Sequence, residues 1–237
     1  MGLLIGFVSG KGGAGKTTIT EIVATGLNKY FDYSIAVVEV DTYQPSMTKD
    51  RERDLENLKN GHALTIMNAQ YLKDRNKSIF DIHLLDPTDL KKIAKVKKAY
   101  DIVFVDVPGS LAIPGVKELF YFLDYAFIPF YVDPKSFNSQ IDTIKLISKI
   151  MTLKNSRLKD YAVFFNKYNG DKGKNARYFR NMAEWLDKNN IKRLAPVYEN
   201  LDFERLYSST INPPEYLPSK KSIYVFIEDL LTKIKLK

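Results

Sequence analysis

The sequence predicts an α/β fold: a doubly wound, mostly parallel sheet with helices on both faces, built as a single domain over residues 1–237. Two observations predict it. Short apolar runs alternate with longer stretches of helical periodicity along the chain. The first of those runs passes through a glycine-rich turn directly into a helical pattern, and in open α/β sheets such turns lie beyond the carboxyl ends of the strands, where ligands bind.

The elements follow in order. Strands are expected at 3–8, 34–40, 82–86, 101–106, 125–132, 160–166 and 193–198, and helices at 16–30, 45–59, 88–99, 136–153, 175–189 and 221–235. The stretch 60–81 has the least regular pattern and reads as a helix plus a mobile loop. The chain opens in its first strand, so no separate DNA-binding domain is expected ahead of the core. There is no internal repeat and no low-complexity segment.

Composition narrows the classes. A chain of 237 residues has room for a large core. Cysteine is absent, which excludes disulfides, thiolate metal sites and cysteine-held clusters. The opening apolar stretch is too short for a signal peptide and no segment is long enough to span a membrane, so the cytoplasm is the expected compartment. The formal charge of +8 favours polyanions, either nucleic acid or an acidic membrane face.

Residues 10–17 read Gly-Lys-Gly-Gly-Ala-Gly-Lys-Thr, between the strand LLIGFV and the helix TTITEIVATGL. Strand, glycine-rich loop and Lys-Thr at a helix start form a phosphate-binding loop. Gly10, Gly12, Gly13, Ala14 and Gly15 expose backbone N–H groups to phosphate, aided by the positive end of the helix. Lys16 is expected at the β- and γ-phosphates and the Thr17 hydroxyl on Mg²⁺, with Thr18 completing the loop.

The string Lys11-Gly-Gly-Ala-Gly-Lys16-Thr17 resembles the deviant Walker motif of the ParA/MinD family of nucleotide-switch ATPases. Among its members the look is nearest to ParA-like partition proteins, including those of conjugative elements. The resemblance implies that Lys11 reaches across a dimer interface to the partner's nucleotide. A cation supplied in that way acts like an arginine finger, worth about 10³–10⁵ in rate. Hydrolysis then depends on a homodimer formed in the ATP state.

The same resemblance places the other site residues. Residues 101–109, DIVFVDVPG, look like the Walker B region, so Asp106 is expected to hold the Mg²⁺ shell through water and Gly109 to sense the γ-phosphate. Residues 36–46, AVVEVDTYQPS, match a D-x-D strand end in which Glu39 replaces the first acid; Asp41 is expected to orient the attacking water. Residues 162–169, AVFFNKYN, put Asn166 at a base-contacting position, and the lack of an acid at Asn169 favours ATP over GTP. Pro196 matches a proline that lines the adenine pocket in relatives.

The surface that the switch addresses stays open at this point. In one reading an ATP-bound dimer binds DNA without sequence preference and moves a plasmid, chromosome or conjugative element, under a ParB-like or other activating partner and in association with the nucleoid. Candidate phosphate contacts are Lys172, Lys174, Arg177 and Arg180, the pair Lys192 and Arg193, and Lys220 and Lys221. In a second reading the chain docks on membrane as MinD does, through the tail VFIEDLLTKIKLK. Its apolar residues Ile223, Phe226, Ile227, Leu230, Leu231 and Ile234 keep helical spacing and read better as a core face. A third reading is a metabolic ligase of the dethiobiotin-synthetase type, whose loop does not need Lys11.

Overall fold

The computed structural model describes residues 2–110, 112–131, 137–169, 176–199, 209–214 and 222–236. Six strands form within them: β1 (Leu3–Phe7), β2 (Ile35–Glu39), β3 (Asp81–Leu84), β4 (Ile102–Asp106), β5 (Tyr125–Phe130) and β6 (Asp160–Phe165). All pair in parallel, in the order β3-β2-β4-β1-β5-β6. The helices are α1 (Lys16–Tyr30), α2 (Ser46–Lys59), α3 (Ala63–Asp74), α4 (Leu90–Ala99), α5 (Val116–Phe120), α6 (Phe137–Met151), α7 (Ala176–Lys188) and α8 (Ile223–Lys233).

The strand sequences explain the layering. β2, β4 and β5 are buried at every position, because helices cover both of their faces. Leu4, Val38, Val105 and Ile128 face a core shared with helices α4 to α7. Ile5, Phe7, Phe104 and Phe164 face the opposite core, shared with α1 and α8. In that second core the Phe7 ring lies 6.0 Å from each of Phe104, Phe127 and Phe164. Phe226 of α8 closes the cluster 4.7 Å from Phe164. Each buried Phe contributes about 1.5–3 kcal/mol. Together they make a stiff floor beneath the loop that follows β1.

Register puts the site together. Phe7 and Glu39 both pair with Asp106, so the ends of β1, β2 and β4 lie in one row. The loops that leave them therefore emerge side by side at the carboxyl edge, where open α/β sheets bind ligands.

The stretch 60–81 holds the twelve-residue helix α3, as its reading as a helix plus a loop expects, and the first residue of β3. Two points differ from expectation. The short helix α5 was not foreseen. Residues 193–198 are not a seventh strand: they join β6 and its following turn only at isolated bridges, Val163 to Arg193 and Tyr168 to Tyr198. The Leu194 N–H donates to the Val163 carbonyl at 2.9 Å, but Pro196 has no N–H for the next rung, and the Val197 N–H takes the Phe165 carbonyl at 2.8 Å instead, which breaks the register.

At the other end of the chain, Ile223, Phe226, Ile227, Leu230, Leu231 and Ile234 are all buried, as the core reading of the last helix requires. Among the described residues, no helix is long and apolar enough to cross a membrane.

Candidate active site

A cleft of about 690 Å³ opens at the carboxyl edge of the sheet. Gly12, Gly13, Gly15, Lys16, Thr17 and Thr18 line one side of it. Asp41, Asp106 and Gly109 line it as well, so nine of the expected site residues converge there. They come from three loops that are distant in sequence and adjacent only because β1, β2 and β4 are neighbours.

The loop after β1 is built to leave its amides unused. Gly15 holds φ at 81°, a left-handed value that costs a side-chain-bearing residue energy, and a Cβ there would also meet Asn166 Nδ2 at 2.6 Å. No side chain caps α1. The first N–H groups of that helix are therefore available to an anion, and the helix dipole favours one.

Lys16 is buried, and its ammonium reaches the Lys11 carbonyl at 3.5 Å. Burial lowers its pKa, against the opposing pull of Asp106 and Asp41. A phosphate arriving beside it restores the solvation that burial removed. The Thr17 hydroxyl donates to Asp106 Oδ2 at 2.8 Å. Asp106 Oδ1 is buried with no partner. Burial, above all, pushes the Asp106 carboxyl up to about 7; Thr17 works against that, and Glu39 adds to it.

A hydroxyl and a carboxylate in contact, with one carboxylate oxygen orphaned, fit a hard cation that draws its remaining ligands from phosphate and water. Among the described residues there is no cluster of three or more His, Asp or Glu side chains that would hold a metal alone. Asp41 is half-buried, and its Oδ1 accepts the Gln44 N–H at 3.1 Å.

The remaining candidates lie outside the cleft lining. Gly10 borders an adjoining cavity of about 520 Å³ with Thr143 of α6, whose Oγ1 accepts its N–H at 3.0 Å. Lys11 is half-buried, and its N–H donates to Ser9 Oγ at 3.3 Å. Ala14 is buried, and its carbonyl accepts Asn166 Nδ2 at 2.8 Å. Asn166 Oδ1 accepts the Lys167 N–H at 3.0 Å, so one end of the carboxamide braces the phosphate loop and the other holds the turn after β6. Pro196 is half-exposed in the segment beside β6.

Of the basic candidates, Arg177 and Arg180 are exposed on α7. Lys192 and Arg193 are exposed too, with Arg193 held by Asp187 at 2.9 Å. Lys172, Lys174, Lys220 and Lys221 lie outside the described residues.

Sequence reasoning left one acid without a role, and the structure supplies it. Glu39 is fully buried and accepts the N–H groups of Met47 at 2.8 Å and Thr48 at 3.0 Å, and the Thr48 hydroxyl at 2.5 Å. It caps α2 from inside the sheet. It also explains why the longer Glu stands where an Asp was expected: the side chain must reach the next helix rather than the cleft. Gly109 has a second duty of the same kind, because a Cβ there would sit 2.6 Å from Gly12 Cα. The two loops touch backbone to backbone.

Residues 5–212 match the model of the CobQ/CobB/MinD/ParA nucleotide binding domain. The chain belongs to this family. The CobQ/CobB/MinD/ParA fold is also what the solved structures share. A plasmid partition protein of Borrelia burgdorferi B31 bound to AMPPNP is 20% identical over 98% of this chain and 100% of its own, with a TM-score of 0.66. The MinD cell division protein of Aquifex aeolicus is 19% identical over 97% of each chain, at 0.67. An ATP complex of McdA from Cyanothece is 14% identical over 100% of this chain and 97% of its own, at 0.64. No curated protein matches the sequence. Family membership supports a nucleotide in the cleft, and the two ligand-bound neighbours carry adenine nucleotides, AMPPNP and ATP.

Proposed function

We propose that this chain is a switch ATPase that dimerises on ATP, binds DNA non-specifically in that state, and positions a plasmid, chromosome or conjugative element. The observation that carries the ATPase reading is the convergence of Lys16, Thr17, Asp41 and Asp106 on one cleft beneath an uncapped helix start. Lys16 and the loop amides bind the triphosphate. Thr17 and Asp106 hold Mg²⁺, which neutralises charge that develops on the phosphate oxygens. Asp41 aligns and polarises the attacking water; it is half-buried and borders the cleft.

Lys11 completes the site of a second copy, as the family resemblance implies. ATP thereby becomes the glue between two subunits, and its hydrolysis releases them under a ParB-like or other activator. Asn166 keeps one Nδ2 hydrogen and one Oδ1 lone pair beyond its bonds to Ala14 and Lys167, and these are the groups it would offer to adenine. DNA binding is supported by the +8 charge and by cationic helix faces. Besides Arg177 and Arg180, α4 exposes Lys91, Lys92, Lys95 and Lys98 and carries no acid. The buried apolar face of α8 weighs against a membrane tail.

The experiment is co-sedimentation with DNA and with anionic vesicles, in ATP and in ADP, alongside analytical ultracentrifugation. ATP-dependent dimers that shift DNA, with affinity falling steeply as salt rises, support the reading. Vesicle binding without DNA binding refutes it in favour of membrane positioning. Asp41→Ala should lower turnover about 10²–10⁴-fold while the ATP dimer persists, the range for a group that manages a proton in the transition state.

A further inference from the structure

The wall of the cleft contributed by α2 has a chemistry of its own. Gln44, Ser46 and Lys49 line it. A helix start beside a phosphate site ordinarily offers its amides to the anion. Here two of those amides are taken, because Glu39 already accepts the N–H groups of Met47 and Thr48. The full positive charge that this helix presents to the cleft is a side chain, Lys49.

Lys49 lies one turn on from Ser46, on the same face of α2. Its side chain is exposed, and it has no hydrogen-bond or ion-pair partner among the described residues. The backbone that carries it is well anchored. Met47 is fully buried, and Asp54 further along α2 accepts the Thr210 N–H at 2.6 Å and the Ser209 hydroxyl at 3.0 Å. The charged side chains of the cleft lining balance until a phosphate adds its own negative charge. Asp41 and Asp106 offset the two lysines of the lining, Lys16 and Lys49, before any phosphate arrives. Of those two cations Lys16 is buried, whereas Lys49 can swing on a four-carbon stem.

We propose that Lys49 is a ligand for the phosphate chain of the nucleotide, supplied in cis, and that it ties α2 to the nucleotide state. This rests on the nucleotide reading of the cleft but not on dimerisation. Unlike Lys11, which serves a second copy, Lys49 acts on the nucleotide bound by its own chain.

The test compares the affinities of wild type, Lys49→Ala, Lys49→Arg and Lys16→Ala for ATP, ADP and adenosine by titration calorimetry. Alanine is the best helix former, so Lys49→Ala should keep the fold, and a thermal melt checks this. Lys49→Ala should weaken ATP about tenfold, the low end for a charge-assisted hydrogen bond. ADP should weaken less, adenosine should not change, and Lys49→Arg should stay within about twofold of wild type. A change below about twofold for ATP overturns the inference. So does an equal loss for ATP and adenosine, which marks general damage to the site. If wild type binds neither ATP nor ADP, the reading of the cleft falls and takes this inference with it. If wild type binds ATP, Lys16→Ala abolishes that binding and Lys49→Ala does not change it, the inference falls alone.

Discussion

Two buried aspartates sit at opposite edges of the same sheet, and they are treated differently. Asp124, at the amino edge, precedes β5 and is 4% exposed. It accepts the Leu4 N–H at 2.8 Å and faces the ammonium groups of Lys97 at 2.5 Å and Lys159 at 3.4 Å. Asp106, at the carboxyl edge, is 3% exposed and has the Thr17 hydroxyl on one oxygen and nothing on the other. The first is a finished structural joint. The second keeps a buried oxygen unsatisfied, which costs stability until a ligand supplies the partner. Equal burial with unequal satisfaction separates a residue that holds the fold from one with an oxygen left for a ligand.

The comparison breaks first at Lys97. Lys97→Ala leaves Asp124 without its closest counter-ion and should cost about 3–5 kcal/mol of stability in urea melts, with ATP affinity unchanged. Asp106→Asn should do the reverse: Mg²⁺-dependent phosphate release should fall about 10–100-fold, the range for a residue acting through metal-bound water. The melting temperature should hold or rise, because a buried half-paired carboxyl is gone. If Asp106→Asn unfolds the protein while Lys97→Ala is silent, the assignment of the two edges is wrong.

Gly109→Ala sharpens the cofactor edge. Its Cβ would lie 2.8 Å from Gly12 N, so the two loops must part, at an overpacking cost of about 1–3 kcal/mol read as lost ATP affinity. The smallest effect is a slope. Burial holds the folded Asp106 carboxyl at about 7, against an ordinary 3.8. The folded, metal-free protein thus keeps a proton that the unfolded chain releases. The stability from that proton is whole below pH 3.8, erodes as pH rises and is lost by about pH 7. Asp106→Asn should flatten this part of the pH–stability curve in chelator.

Legibility followed sequence distance. The phosphate loop, α1 and the apolar strand ending at Asp106 could be read because their signals are local: glycine at a left-handed turn, Lys-Thr at a helix start, an acid closing an apolar run. Helix α1 has the expected bounds. The brace from Asn166 to Ala14 spans 152 positions, and the bond from Gly10 to Thr143 spans 133. Nothing in the local pattern around either residue announces its partner. At 193–198 an extended, apolar look suggests a strand, but Pro196 lacks the N–H for the next rung and Val197 bonds the Phe165 carbonyl in its place, so only isolated bridges form.

By itself, then, the sequence determined that a strand, a glycine loop and a helix would present bare amides and a lysine to phosphate, because those groups are neighbours on one short piece of backbone. Only the tertiary structure decided which acids are spent and which are spare. Glu39 and Asp106 stand in register on β2 and β4, yet one is capped by the helix that follows it and the other is left with an open oxygen. That division depends on donors brought in by strand order and helix docking, and a hydrogen bond made between distant segments exists only after the sheet has set them side by side.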